Sequence, residues 1–148
     1  MTATLVNRIA RIPAWGLWLT AAVYWCALMI ALHYPEIPGA AQAPPGTDKL
    51  VHSFLYGMLA ILWRLVIGRT TSASGVLGTA WRRSLLTFGL VIVQAVADEW
   101  TQPLTGRNND PWDLFSDLAG AACFLAAFHM LFVRRAGQSA DTTPAHVY

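Results

Sequence analysis

Residues 110–133 read DPWDLFSDLAGAACFLAAFHMLFV, and between Leu114 and Val133 the only acidic or strongly basic side chain is Asp117. About 20 apolar residues are what a helix needs to cross the hydrocarbon core of a bilayer. The start is equally legible: Asp110 can cap, Pro111 takes the first helical position and Asp113 the third, where acids favour the positive helix end. Arg134 and Arg135 follow the stretch. It therefore predicts a helix that begins at one membrane surface and stops at the other. Three further apolar stretches lie upstream. They run from about Ala14 to Tyr34, closed by Pro35 and Pro38, from about Leu50 to Ile67, and from about Leu85 to Ala97. The third extends through Gln102, because Pro103 is the first residue that must end it. Backbone groups in lipid have to be satisfied within their own segment, and the alternation of a membrane barrel is absent. The expectation is an all-α protein, an integral membrane four-helix bundle.

Composition agrees. Of 148 residues, 55% are hydrophobic and 12% charged, about half the charge of an average soluble domain. Mean hydropathy is +0.44. Large multidomain enzymes, disulfide-stapled secreted scaffolds and basic nucleic-acid binders are excluded. Cys26 and Cys123 fall inside predicted spans, which favours buried apolar packing over a disulfide. Ala41-Gln42-Ala43 resembles a signal cleavage site, but the first apolar stretch is too long for a signal core and Pro44 would follow the cut, so it is read as a retained span. Tryptophans 15, 18, 63, 81, 100 and 112 are expected near span ends, where interfacial rings settle.

Charge sets the orientation. Arg8, Arg11, Arg64, Arg69, Arg82, Arg83, Arg134 and Arg135 all fall on one side, which the positive-inside rule makes cytoplasmic. Glu36, Asp48, Asp98, Glu99, Asp110, Asp113 and Asp117 fall at or near the other. Both termini are then cytoplasmic. Residues 1–13 form a short N-terminal segment, 14–135 the four-span domain, and 136–148 a polar tail without apolar period, read as disordered.

With this topology the polar residues converge on the outer side. Asp48, His52 and Tyr56 are four apart on the second span; Gln94, Asp98 and Gln102 repeat the spacing on the third. The fourth carries Asp113, Asp117 and Gly120. A carboxylate at mid-span costs roughly 2.5–3.5 kcal/mol on insertion scales and less near the interface, so such residues are expected to face one another. Capping accounts for some of them singly: Thr47 as a cap with Asp48 in the first turn, and Asp110 as a cap only. Asp117 lies too deep for that. Asp98 and Glu99 sit at a helix C-terminus, where the dipole disfavours acids. They need a nearby cation, a ligand or a proton, and Lys49, Arg107 and His52 are the candidates. Helical geometry turns Asp98 inward and Glu99 about 100° away.

Lys49 and Arg107 beside two helix N-termini suit an anionic head group, or else simply neutralise the aspartates. His52 among aspartates could form an oxygen-rich divalent-metal site, but no spacing matches a specific one. Ser53, adjacent to His52, points about 100° away from it, so a nucleophile is weakly supported. His33, at the outer end of the first span, can join the cluster.

Taken together these residues resemble the VanZ-like family of small bacterial membrane proteins. The resemblance rests on Asp48-Lys49-x-x-His52-x-x-x-Tyr56, Asp98-Glu99-x-x-Gln102, Arg107 and Asp113-x-x-x-Asp117-x-x-Gly120, over roughly residues 45–125. Many members carry His where this chain has Thr101, and Asn where it has Asp117. The resemblance implies a four-helix membrane domain in the cell envelope, and an association with low-level resistance to teicoplanin, a lipid-tailed glycopeptide that acts on lipid-anchored cell-wall precursors.

Two functions follow. One is recognition of an amphipathic molecule, a membrane lipid or lipid-linked cell-wall precursor, through Asp48, Lys49, Tyr56, Glu99, Gln102, Arg107, Asp113 and Asp117. The other is an intramembrane hydrolase or transferase with Asp98 as general base, His52 as acid–base partner and Lys49 with Arg107 as anion clamp. Proton translocation is disfavoured, because below Gln94 and Tyr56 no ionisable residue continues a path toward the cytoplasm. With no complete catalytic constellation in the sequence, recognition is the preferred reading. No cofactor and no nucleic acid is implied.

Overall fold

The computed structural model describes residues 12–34, 44–71, 78–107 and 110–133. Among them the chain is all-helical, with four long helices: α1 Ala14–His33, α2 Thr47–Thr70, α3 Ala80–Thr101 and α4 Pro111–Phe128. A 3₁₀ turn, Gln102–Thr105, follows α3, and a π-type segment, His129–Val133, continues α4. The flanking residues Arg8, Arg11, Glu36, Arg134 and Arg135 and the tail expected to be disordered lie outside the described residues.

Three of the helices are long and apolar enough to cross a membrane: Ala14–His33, Thr47–Thr70 and Pro111–Phe132. This is compatible with a multi-pass membrane protein. Helix α3 has the length, at 22 residues, but Arg82 and Arg83 at its start and Asp98 and Glu99 near its end leave only residues 84–97 free of charge between them.

The helix ends follow from local chemistry. Asp110 caps α4 as expected, its Oδ1 accepting the Trp112 N–H at 2.9 Å. Pro103 has no N–H to continue α3, so the α-helix ends one residue before the expected Gln102. The 3₁₀ turn is closed by Gly106 at φ 81°, a left-handed conformation that glycine adopts without steric cost. At α2 the expectation is corrected. The cap is Gly46, at φ 83° and without a side-chain bond, while the Thr47 hydroxyl donates backward to the Pro44 carbonyl at 2.8 Å.

Helix α2 is the centre of the bundle and packs on the other three, most extensively on α4. Leu28 and Leu32 of α1, Tyr56, Leu59 and Ala60 of α2, Val91 and Ala95 of α3, and Ala121 and Leu125 of α4 form its core. Gly120 makes the α2–α4 approach possible. A methyl group there would sit 1.9 Å from the Ser53 carbonyl oxygen, and backbone cannot swing aside. Gly57 is covered by the Phe124 ring, 2.6 Å from where its Cβ would be. The Ser53 hydroxyl closes the same seam by donating to the Ser116 carbonyl at 2.7 Å.

Cys26 and Cys123 are free thiols, but both are exposed on the bundle's outer face rather than buried. Apolar character alone therefore does not report burial in this bundle, where many large apolar side chains are also exposed. Trp63 is also placed differently from the expectation. Helix α2 runs on to Thr70, so Trp63 lies inside the bundle, edge-on to Trp18 at 5.5 Å, and donates to Gln94 Oε1 at 3.0 Å.

Gly120→Ala should disrupt the α2–α4 seam and cost about 3 kcal/mol, the upper end for overpacking. Thermal unfolding of the detergent-solubilised protein would read this as a large drop in midpoint. Gly89→Ala, where a Cβ meets nothing within 4 Å, should leave the midpoint unchanged or raise it slightly.

Candidate functional site

Spacing on α2 brings Lys49, His52 and Tyr56 onto the inward face, three and four residues apart. His52 and Tyr56 are 2% and 0% exposed. Asp48 belongs one position round from this stripe; its side chain is 57% exposed and touches only the rim, 3.0 Å from Lys49. It was expected on the inner face and is not there.

Each inward group meets a carboxylate from another helix. Tyr56 donates to Asp98 Oδ2 at 2.9 Å. His52 Nδ1 lies 3.0 Å from Asp117 Oδ1, and its Nε2 lies 3.8 Å from Asp113 Oδ2. The first distance is a hydrogen bond and the second is not, so Nδ1 pairs with Asp117 while Nε2 faces the Asp113 carboxylate without bonding it. The expected Asp98–His52 pair is thus two separate pairs, Tyr56–Asp98 and His52–Asp117. Because His52 and Tyr56 are one turn apart on α2, the two aspartates sit side by side, within Coulombic range of each other.

Lys49 bonds Asp113 and, at 2.5 Å, Asp110. Its ammonium holds the Asp110 carboxyl below the usual carboxylate range, helped by the Trp112 N–H. Asp110 is therefore more than a cap. The bridge contributes above the ordinary carboxylate pKa and is lost only as pH falls through the depressed value. Arg107 donates to the Leu32 carbonyl at 2.8 Å, which pins the α3–α4 connection to the end of α1. Of the two sequence readings for these cations, neutralisation fits Lys49, which meets three carboxylates, whereas Arg107 bonds a backbone oxygen.

Glu99 differs from the expectation. It is 4% exposed, buried between α3 and the start of α4 although helical period turns it away from Asp98. Its carboxylate accepts the Asp110 N–H at 3.1 Å and the Gln102 amide at 3.4 Å. The loop from the 3₁₀ turn back to α4 wraps over it, which helical geometry alone does not foresee.

His33 brings α1 into the site. Its Nδ1 lies 2.9 Å from the Met29 carbonyl and 3.3 Å from Asp98 Oδ1, and its Nε2 2.9 Å from Thr101 Oγ1. Two acceptors at Nδ1 require a proton there. Thr101, one turn beyond Ala97, also donates to that residue's carbonyl at 2.8 Å; sequence reasoning passed over it as a site residue. Gln94 stays out, since Trp63 takes its oxygen.

Two buried acceptors, Gln102 Oε1 and Asp117 Oδ2, have no donor among the described residues, and Asp98 Oδ1 has no hydrogen bond beyond the 3.3 Å ion-pair contact with His33. The Gln102 amide cannot be turned to relieve this, because its oxygen would then face the Glu99 carboxylate. Ser53, bonded to the α4 backbone, is not directed at His52. Among the described residues no three histidine, cysteine or acidic groups are arranged to hold a metal ion. Arg64, read in sequence as a flanking charge, is 5% exposed. It lies at the far end of the bundle, bonded to Ser84 and the Ala80 carbonyl and 5.4 Å from the centre of the Phe128 ring.

No protein-family model, curated protein or solved structure matches the chain.

Lys49→Met should strand Asp113 without its cation and destabilise the fold by roughly 1–3 kcal/mol, the cost of an unsatisfied buried acceptor. Adding Asp113→Asn should recover much of that loss. Unfolding midpoints of the two single variants and the double variant give the coupling directly.

Proposed function

We propose that the chain is a VanZ-like protein of the bacterial cytoplasmic membrane, and that its buried polar cluster recognises the head group of an amphipathic or lipid-linked molecule from the outer leaflet. In this reading it spans the membrane four times with both termini in the cytoplasm. Helix α3, at 22 residues and 1.5 Å per residue, is about 33 Å long and suffices as the fourth span. The charge asymmetry supports the orientation. Arg69 bonds the Ile12 carbonyl and Arg83 the Thr71 carbonyl, so the start of α1, the end of α2 and the start of α3 share one basic end. The carboxylates gather at the opposite end.

The observation that carries the reading is the buried polar cluster itself. Four helices each deliver an ionisable side chain to it, at a desolvation cost that stability alone does not repay, and Gln102 Oε1 and Asp117 Oδ2 within it lack donors among the described residues. Cell-wall precursors and lipid-tailed glycopeptides such as teicoplanin belong to the class of amphiphiles such a cluster could engage. A second reading, an intramembrane hydrolase or transferase, draws on one feature: His52, oriented by Asp117, presents an Nε2 that does not bond Asp113, as a general base would.

Lipid profiling of cells with and without the protein separates the two. Recognition predicts an unchanged lipid inventory together with altered sensitivity to a lipid-tailed glycopeptide, and Asp98→Asn should lower ligand affinity and that phenotype in step. Catalysis predicts a changed lipid species and a variant that binds without turnover. For the topology, a fluorescent protein fused at the C-terminus should fluoresce, and alkaline phosphatase fused there should be inactive; the opposite pattern would reverse the orientation.

A further inference from the structure

Six carboxylates line or rim the cluster: Asp48, Asp98, Glu99, Asp110, Asp113 and Asp117. Against them stand Lys49, Arg107, His33 and His52, so with every carboxylate ionised and both histidines protonated the described residues carry a surplus of two negative charges, to be met by protons or by a bound cation. Gln102 Oε1 and Asp117 Oδ2 have no donor among the described residues, Asp98 Oδ1 has only the 3.3 Å contact with His33, and all three are acceptors on side chains no more than 1% exposed. A phosphate or carboxylate would bring further acceptors and further negative charge. A neutral hydroxyl would bring a donor without charge, and a quaternary ammonium a charge without a donor. A primary ammonium brings both, with three N–H groups.

A route from the bilayer exists on the same side. Between α3 and α4 a groove of about 400 Å³ is lined by Val96, Trp100, Pro111 and Leu114, and its one ionisable lining residue is Glu99. A second, separate apolar groove, about 410 Å³, lies further along the same pair of helices and is lined by Phe88, Leu85, Leu125 and Met130. An acyl chain lying in this seam would leave its head group at the Glu99 carboxylate, next to Gln102 and Asp98.

We infer that the cluster takes the primary-ammonium head group of a membrane amphiphile, admitted sideways from the bilayer through the Val96–Leu114 groove between α3 and α4. This rests on the recognition reading above and names its ligand class. The charge surplus selects a cation, the orphan oxygens of Gln102 and Asp117 select N–H donors, and the groove sets the direction of entry.

The test uses the full-length protein purified in detergent and three lipids with identical acyl chains. Phosphatidylethanolamine offers a primary ammonium, phosphatidylcholine a quaternary one, and phosphatidylglycerol hydroxyls without a cation. Retention of each is read by native mass spectrometry in pairwise competition. Phosphatidylethanolamine should be retained about tenfold over either rival, the scale of one hydrogen bond to a charged group. Leu114→Trp and, from the opposite wall, Val96→Phe should each lower that retention several-fold while circular dichroism shows unchanged helix content. Equal retention of the ethanolamine and choline lipids would overturn the head-group assignment and leave lipid recognition standing. A preference that both groove variants leave intact would overturn the sideways entry. If none of the three lipids is retained above a soluble-protein control, the recognition reading falls with the inference.

Discussion

Where Ser53 of α2 meets Gly120 of α4 there is no space for a methyl group, because a Cβ would be 1.9 Å from a carbonyl oxygen. That approach lets short polar side chains reach across. One turn above it, Lys49 and His52 face Asp113 and Asp117, and a bundle held apart by a larger residue would leave those carboxylates in an apolar interior without partners. An unpaired charge in hydrocarbon is far costlier than a paired one. The missing side chain at position 120 is therefore a condition for the ion pairs, and the pairs are a condition for the cluster.

Around this contact the charges are arranged unevenly. Lys49 serves three carboxylates and Arg107 is bound to the end of α1, so the formal cations are consumed in holding the cluster together. What remains inside is rich in acceptors: Tyr56 and His33 on Asp98, His52 on Asp117, and oxygens on Asp117 and Gln102 that no described residue satisfies. Low dielectric strengthens each satisfied bond and raises the cost of each unsatisfied one. The site is thus electrostatically poised toward a donor, where its lysine and arginine taken from the sequence suggested an anion.

The same arrangement bears on chemistry. His52 is oriented by Asp117 much as a general base is oriented by its carboxylate partner, yet the nearest hydroxyl in sequence, Ser53, is committed to the α4 backbone. Asp98, the other candidate base, is held by a tyrosine and a histidine. Both groups are well placed to bind and orient; neither stands beside a side-chain nucleophile among the described residues. Recognition needs nothing further from the protein, whereas hydrolysis would need water or the ligand to supply the attacking atom.

Apolar length, proline and glycine punctuation, and acids or bases stranded in apolar stretches determined from the sequence alone that the chain is all-helical, where its helices lie to within a few residues, and that Lys49, His52, Tyr56, Asp98, Asp113 and Asp117 belong together. Those are properties of one segment at a time, set by desolvation and by the backbone's need to satisfy itself. Helical period fixes the angle between residues of one helix, but not how that helix is turned toward its neighbours. Only the tertiary structure therefore decided that Asp48 faces out and Lys49 in, that Glu99 is drawn under the loop, that His33 and Thr101 enter the site, and that Cys26 and Cys123 face outward. Rotation and partner choice are settled by packing between helices, through contacts such as Gly120 on Ser53, which no single helix carries in its own pattern.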